Sequence, residues 1–217
     1  MSKLYKLGVI GDPIEHSLSP FIHSRFSRNE NINIEYLPYK ISDADFMSFI
    51  DEFFSDKLSK GLNVTLPHKK LAAQIKGEIS KEASYINAVN TIVNERNNLF
   101  LYSTDGIGFL NDMDNKGFNF KNKNILMIGA GAAMESVLYR VAQAGVKSIT
   151  LINRTQEKAD RLIRKFSSII SISSEIVSKS TFDLVINGSS AGLTGNFKPI
   201  ENIPLDSKTR FYDLNYS

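Results

Sequence analysis

The sequence predicts an α/β protein of two domains, residues 1–104 forming an N-terminal α/β domain and residues 105–217 a domain built on a doubly wound parallel sheet. Three observations predict it. The first half alternates compact apolar runs with helical patterns, residues 125–187 carry a βαβαβ order, and Gly129-Ala130-Gly131 stands directly after the first apolar run of that order. Of the 217 residues 42% are hydrophobic, enough to bury about 70% of the unfolded surface in one large or two small cores.

Tyr5 to Gly11 is an apolar run ending in Gly11-Asp12-Pro13, a buried strand entering a turn. After Ser19-Pro20, Phe21, Ile22 and Phe26 fit a helix with proline at its first position, and Ile34 to Ile41 reads as a second strand. Between Asp43 and Phe54 the residues Phe46, Phe49, Ile50, Phe53 and Phe54 recur at three- and four-residue spacing, a helix whose wide apolar face belongs in the core. Gly61 to Leu66 is a short strand ended by Pro67, where a further helix starts. Thr91 to Val93 and Leu99 to Tyr102 flank Glu95-Arg96-Asn97-Asn98, a hairpin signal. Polar Lys121-Asn122-Lys123-Asn124 then gives way to Ile125-Leu126-Met127-Ile128, where a new core opens. The helix Met134 to Ala144, the strand Ser148 to Ile152, the helix Gln156 to Phe166 and the strand Phe182 to Asn187 follow. Ser167 to Ser174 reads as a loop holding a short buried strand, and Arg210 to Leu214 as the last strand. There is no internal repeat.

Several function classes are disfavoured. Lys and Arg number 26 against 23 Asp and Glu, and no block of five like charges or basic aromatic stripe suggests a nucleic-acid partner. With no Cys and three scattered His, neither a disulfide nor a metal site is expected. The first apolar run is cut by Asp12-Pro13, and no apolar stretch approaches the roughly 18 residues of a membrane span, so the expected location is the cytoplasm, with no membrane partner.

Gly129 and Gly131, between a strand and a helix, let backbone N–H groups approach a pyrophosphate at the positive end of that helix. This reads as the phosphate-binding turn of a Rossmann-like domain, although Met134 occupies the third glycine position; the alternative is a tight strand-to-helix turn with Arg154 as a solvated cap. Where an acid would read a ribose hydroxyl, the chain has Asn153-Arg154-Thr155, and an arginine there favours a 2′-phosphate: NADP rather than NAD, with Thr155 and Lys158 assisting. Hydride transfer to a carbonyl also needs a proton donor. Tyr36 and Lys40 have a Tyr-x-x-x-Lys spacing, but on a strand well before the glycine turn. Lys69 and Asp105 are the stronger candidates, yet in isolation Lys69 reads as a solvated helix-start lysine and Asp105 as a helix N-cap, and spacing does not pair them.

Six segments, in order, carry a resemblance: His16-Ser17-Leu18-Ser19-Pro20, Asn63-Val64-Thr65-Leu66-Pro67-His68-Lys69, Ala88-Val89-Asn90-Thr91, Thr104-Asp105-Gly106-Ile107-Gly108-Phe109, Gly129-Ala130-Gly131 and Asn153-Arg154-Thr155. Together they resemble the shikimate dehydrogenases over essentially the whole chain, most specifically at Asn63 to Lys69. The resemblance implies an N-terminal domain for shikimate or 3-dehydroshikimate, a second domain for NADP, and their NADP-dependent interconversion in aromatic amino-acid and chorismate biosynthesis. It implies that Ser17 and Ser19 hold the substrate carboxylate, that Asn63, Thr65 and Asn90 hold its hydroxyls, and that Lys69 and Asp105 are the catalytic pair. Tyr216 would reach the substrate, and Gly129, Ala130, Gly131, Ala132, Ala133, Asn153, Arg154, Thr155, Lys158 and Leu214 would hold the cofactor. A monomer or homodimer is expected. The alternatives are a quinate dehydrogenase and a non-catalytic NADP- or shikimate-binding sensor.

Departures from the family pattern generate further expectations. Glu135 stands where a base is common and is expected near the phosphates, weakening cofactor affinity. Asn87 replaces a usual glycine, Ser103 a usual Asn before Thr104-Asp105, and Ser24 a usual Asn after His23. Family members continue past the last strand with helices that return to the first domain and bring a substrate-binding Gln. Those helices are not in this sequence, so uncovered apolar surface on the first domain and little turnover from this chain are expected.

Overall fold

The computed structural model describes residues 3–176, 181–189 and 203–215, and the chain divides into two compact units, Met1–Thr104 and Asp105–Ser217. In the first unit the elements run β1 (Tyr5–Gly11), α1 (Ser19–Glu30), β2 (Ile34–Lys40), α2 (Phe46–Ser55), β3 (Ser59–Val64), α3 (Lys69–Ala72), β4 (Glu78–Ile79), α4 (Lys81–Ile86), β5 (Thr91–Glu95) and β6 (Asn98–Tyr102). They form one mixed sheet in the order β2-β1-β3-β5-β6-β4. β1 pairs in parallel with both β2 and β3, while β5 runs antiparallel to β3 and β6. The β5–β6 hairpin turns on Arg96 and Asn97, both at positive φ, which a primed two-residue turn requires.

The Phe-rich helix α2 does what its spacing predicts: Phe46 and Ile50 are buried, and Phe49, Phe53 and Phe54 pack beside them against Ile10, Leu62, Val64 and Ile92. It begins at Phe46 rather than Asp43 because Ser42, bonded through its hydroxyl to Asp45, closes a turn first. β3 stops at Val64, two residues early, because the Thr65 N–H goes to the Ile10 carbonyl and the Thr65 carbonyl accepts from His68, which bends the chain into α3. α4 was not expected; Ser80 caps its start by accepting from the Ala83 N–H, and Asn87, left-handed at φ 54, ends it. That conformation explains why Asn stands where glycine is usual, since Asn tolerates it best among residues with a side chain.

The second unit contains α5 (Asp105–Asn115), β7 (Asn124–Ile128), α6 (Ala132–Ala142), β8 (Ser148–Ile152), α7 (Gln156–Phe166), β9 (Ile172–Ser173), β10 (Leu184–Asn187) and β11 (Arg210–Asp213). Every pairing in its sheet is parallel, in the order β11-β10-β7-β8-β9. Ile125, Leu126 and Met127 are all fully buried, as a strand covered on both faces must be. The Ser167–Ser174 expectation is corrected: among the described residues β9 is an edge strand paired only with β8, and Ile172 is half-buried and Ser173 exposed. Asp105 is the first helical residue of α5, one place past the N-cap position that it would take as a bland capping residue. Among the described residues no helix is long and apolar enough to cross a membrane.

α5 was hidden from pattern reading by Gly106 and Gly108, since glycine costs a helix interior about 1 kcal/mol. Gly106 has a packing reason: a Cβ there would overlap the Ser136 carbonyl of α6, and its N–H donates to the Ser136 hydroxyl at 2.8 Å. A Cβ on Gly108 would meet nothing within 4 Å. Gly106→Ala is therefore expected to destabilise the fold by about 1–3 kcal/mol and Gly108→Ala to stabilise it by about 0.5–1 kcal/mol. Urea midpoints of the two variants should move in opposite directions, and a common direction would mean that the α5–α6 approach is not what requires the glycine.

Candidate active site

In the first unit the polar residues singled out from sequence gather at the ends of β1, β3 and β5. Asn63 lies on the face of β3 opposite the core residues Leu62 and Val64, and pairs across the sheet with Thr91. Its Nδ2 donates to Thr91 Oγ1 at 3.4 Å, and the Thr91 hydroxyl donates to Asn90 Oδ1 at 2.9 Å. The same Asn90 oxygen accepts from the Thr104 N–H at 3.0 Å and from the Thr104 hydroxyl at 3.1 Å. Backbone bonds set the frame around it. The Asn90 carbonyl accepts from Val64, its N–H donates to Tyr102, and the neighbouring Val89 N–H donates to the Lys69 carbonyl. Thr65 and the half-buried Lys69 are thereby held beside Asn90.

The loop after β1 carries Ser17 and leads into Ser19, the first residue of α1, whose N–H donates to Ser17 Oγ at 3.3 Å. Glu15 pins this loop. Its carboxylate, held down to about 2 by its own backbone N–H, by Lys40 and by the Ile14 N–H, joins the loop to the end of β2. Two residues absent from the expected site belong to it. Tyr36 of β2 donates to Asn63 Oδ1 at 2.8 Å, and the His23 ring of α1 stacks on Tyr36 with centroids 4.2 Å apart. Burial pushes the Tyr36 phenol up, and a Ser19 hydrogen bond opposes this. Burial also pushes the His23 imidazole down, against an Asn63 hydrogen bond. Lys40 is engaged by Glu15 and Asp12, so the Tyr36-to-Lys40 spacing does not mark a reductase pair.

In the second unit the strand order reverses between β7 and β10, the switch point where doubly wound sheets bind ligands. Gly129, at φ 113, follows β7 there, and a Cβ on it would lie 2.8 Å from the Gly188 backbone after β10. Gly188 in turn accommodates Met134: a Cβ on it would meet Met134 Cε at 2.7 Å and Leu214 Cδ1 at 3.0 Å. The glycine missing from position 134 is thus compensated from the neighbouring strand, and the chain still packs helix against sheet. The signal was present in Asn187-Gly188-Ser189, immediately after a strand. Gly131 is the N-cap of α6, without a side-chain cap bond, and a Cβ on it would meet nothing within 4 Å. That open, uncapped helix start, with Ala130 before it and Ala132 and Ala133 after it, fits a diphosphate. At the end of β8 Arg154, Thr155 and Lys158 are exposed, Asn153 Nδ2 donates to the Thr155 carbonyl, and Thr155 caps α7 without a side-chain bond. This donor set fits a 2′-phosphate. Tyr216 lies outside the described residues. Among the described residues no three His, Asp or Glu side chains gather to hold a metal.

Comparison with known proteins bears on both units. The family described as shikimate dehydrogenase substrate binding domain matches residues 9–92, and the one described as shikimate / quinate 5-dehydrogenase matches residues 112–193. A shikimate dehydrogenase (NADP(+)) of Nitrosopumilus maritimus is 35% identical over 215 residues, 96% of this chain and 78% of that protein. One from Legionella pneumophila strain Philadelphia 1 is 36% identical over 99% of this chain and 80% of its own length. Among solved structures, the shikimate dehydrogenase of Aquifex aeolicus superposes with a TM-score of 0.85 at 31% identity, covering 99% of this chain and 80% of that one. The Thermus thermophilus shikimate 5-dehydrogenase in complex with NADP(H) and shikimate gives 0.77 at 28% identity, covering 86% and 69%.

One expectation about this site is overturned. Glu135 does not approach the phosphate turn; it is 2% exposed and clamped between α6 and α7, with Arg161 Nη2 at 3.1 Å from Oε2 and Lys165 Nζ at 2.7 Å from Oε1. At the fourth position past the N-cap its side chain has turned toward α7, and two cations neutralise it. Restoring the usual base by Glu135→Lys places a third cation in a buried site. It is expected to lower stability by about 2–4 kcal/mol and not to tighten NADP binding. Chemical denaturation with NADP titration checks this; tighter NADP binding with unchanged stability would return Glu135 to the phosphates.

Proposed function

The chain belongs to the shikimate dehydrogenase family, and we propose that it catalyses the reversible NADP-dependent reduction of 3-dehydroshikimate to shikimate, in the cytoplasm and without a nucleic-acid or membrane partner. The observation that carries this is the coexistence, in one chain, of the Asn63–Thr91–Asn90–Thr104 polar network beside Lys69 and the open glycine turn at Gly131. A polyhydroxylated ring acid needs several short donors and acceptors at fixed angles, and a site built this way rejects analogues that lack a hydroxyl.

In this reading Ser17 and Ser19 hold the carboxylate, while Asn63, Thr65 and Asn90 hold the ring hydroxyls, with Tyr216 closing on the ring. The Gly129–Ala133 turn takes the diphosphate on the α6 N-terminus, Leu214 lines the nicotinamide end, and Arg154, with Asn153, Thr155 and Lys158, takes the 2′-phosphate. NADPH, when bound, supplies the hydride that reaches the carbonyl carbon. Lys69 donates the proton that the carbonyl oxygen gains, and before that its charge stabilises the negative charge developing there. Asp105 accepts a hydrogen bond from the same group and keeps the lysine in place. A monomer or homodimer suffices for this chemistry.

Lys69→Ala and Asp105→Asn are each expected to lower kcat about a hundredfold or more while shikimate still binds, and together to cost much less than the product of the singles. Shikimate and quinate oxidation, followed by nicotinamide absorbance with NADP and with NAD, measures this and fixes the substrate; near-normal turnover in either variant would remove that residue from the mechanism. Arg154→Ala should weaken NADP by roughly 10- to 100-fold, from a charge-assisted bond of about 1.5–3 kcal/mol, and spare NAD. Equal loss of both cofactors would make the arginine structural.

A further inference from the structure

An asparagine that meets a ligand presents either a carbonyl oxygen or an NH2 group, and only its other hydrogen-bond partners choose between them. At Asn63 the choice is made from behind. Oδ1 accepts the Tyr36 hydroxyl at 2.8 Å, which turns Nδ2 away, toward Thr91 Oγ1 at 3.4 Å. The His23 hydrogen bond to Asn63 favours the charged imidazole, so the ring donates it to the same oxygen; of the two amide N–H groups one serves Thr91 and the second is left for what occupies the site. Tyr36 is itself held in place: the His23 ring lies on it at an interplanar angle of 11°, and Phe26 meets His23 edge-on at 5.7 Å. Thr91 cannot restore the opposite orientation, because its hydroxyl hydrogen goes to Asn90 Oδ1 at 2.9 Å and its oxygen is left as an acceptor. The orientation is thus set at both ends of the amide.

We propose that Tyr36, braced by His23, is a positioning residue for the substrate: it pins the Asn63 carbonyl oxygen and commits the amide N–H to the ligand. The pocket then selects a ring oxygen that accepts at that point, and a ring bearing an ammonium there is refused. The proposal rests on the reading of Asn63 as a substrate residue. Burial, which pushes the Tyr36 phenol up, keeps it protonated and donating through the neutral range.

Tyr36→Phe keeps the ring that His23 stacks on and removes the hydroxyl that donates to Asn63 and bonds Ser19. In the full chain, Tyr36→Phe is expected to raise the shikimate dissociation constant, read by calorimetry, about fivefold, the equivalent of one net hydrogen bond. The NADP dissociation constant should stay as it was, the melting temperature should fall by no more than a few degrees, as the loss of part-buried hydrogen bonds implies, and kcat at saturating shikimate should change less than about twofold. In an Asn63→Ala background the same substitution should cost clearly less, because the route through Asn63 is gone and only its hydrogen bond with Ser19 is lost. Equal loss in both backgrounds, no loss in either, or weakened NADP binding alongside a lowered melting temperature would each overturn the proposal while leaving Asn63 in the site. If Asn63→Ala alone leaves shikimate binding intact, the substrate role of Asn63 fails first and this proposal falls with it.

Discussion

The first unit depends on Asn90. Its main chain closes the end of β3 and the end of β6, its side-chain oxygen gathers Thr91 and Thr104, and its neighbour Val89 holds the carbonyl of Lys69. A buried amide carrying this many bonds has one geometry, because each unmade bond would leave a polar group without water. Lys69, Asn63 and the residue preceding Asp105 therefore take their positions from one short stretch, Val89 to Thr91, with the Asn90 side chain at its centre. A network fixed before any ligand arrives spends little free energy on ordering itself around one.

The second unit depends on a different constraint, the close approach of two backbones where β7 and β10 diverge. Gly129 and Gly188 leave no room for a side chain on either, and Met134 fills the space that Gly188 leaves. The fingerprint that names three glycines in one segment is satisfied here by two in that segment and one from a strand far along the chain. Helix-to-sheet distance is what the rule protects, and it is indifferent to which segment supplies the missing side chain.

Much of this was legible in the sequence, and what was not has identifiable causes. β1, β8 and α7 begin and end where their apolar patterns do, because a strand or helix with one clear burial pattern has no competing signal. α5 was lost behind Gly106 and Gly108, whose reasons lie in a partner helix or in nothing the pattern records. Tyr36 was weighed only with Lys40, and His23 was passed over, because their roles arise from a side chain on another strand, which no spacing along the chain records. Glu135 misled because sequence position placed it one turn from the phosphate turn, whereas the rotation of the helix, about 100° per residue, carried it to the face that meets α7.

The clamp at Glu135 also divides the charges of α7. Arg161 and Lys165, toward the C-terminal end, are neutralised by a carboxylate of which 3% is exposed, whereas Lys158 at the other end, and Arg154 just before the helix, stand in water. Dissolved ions act unequally on these two groups, since screening over a Debye length of about 8 Å at physiological ionic strength acts fully on exposed charges and less on cations held against a buried carboxylate. Raising the salt concentration should thus loosen the grip on a phosphorylated ribose well before it loosens the helix that presents it.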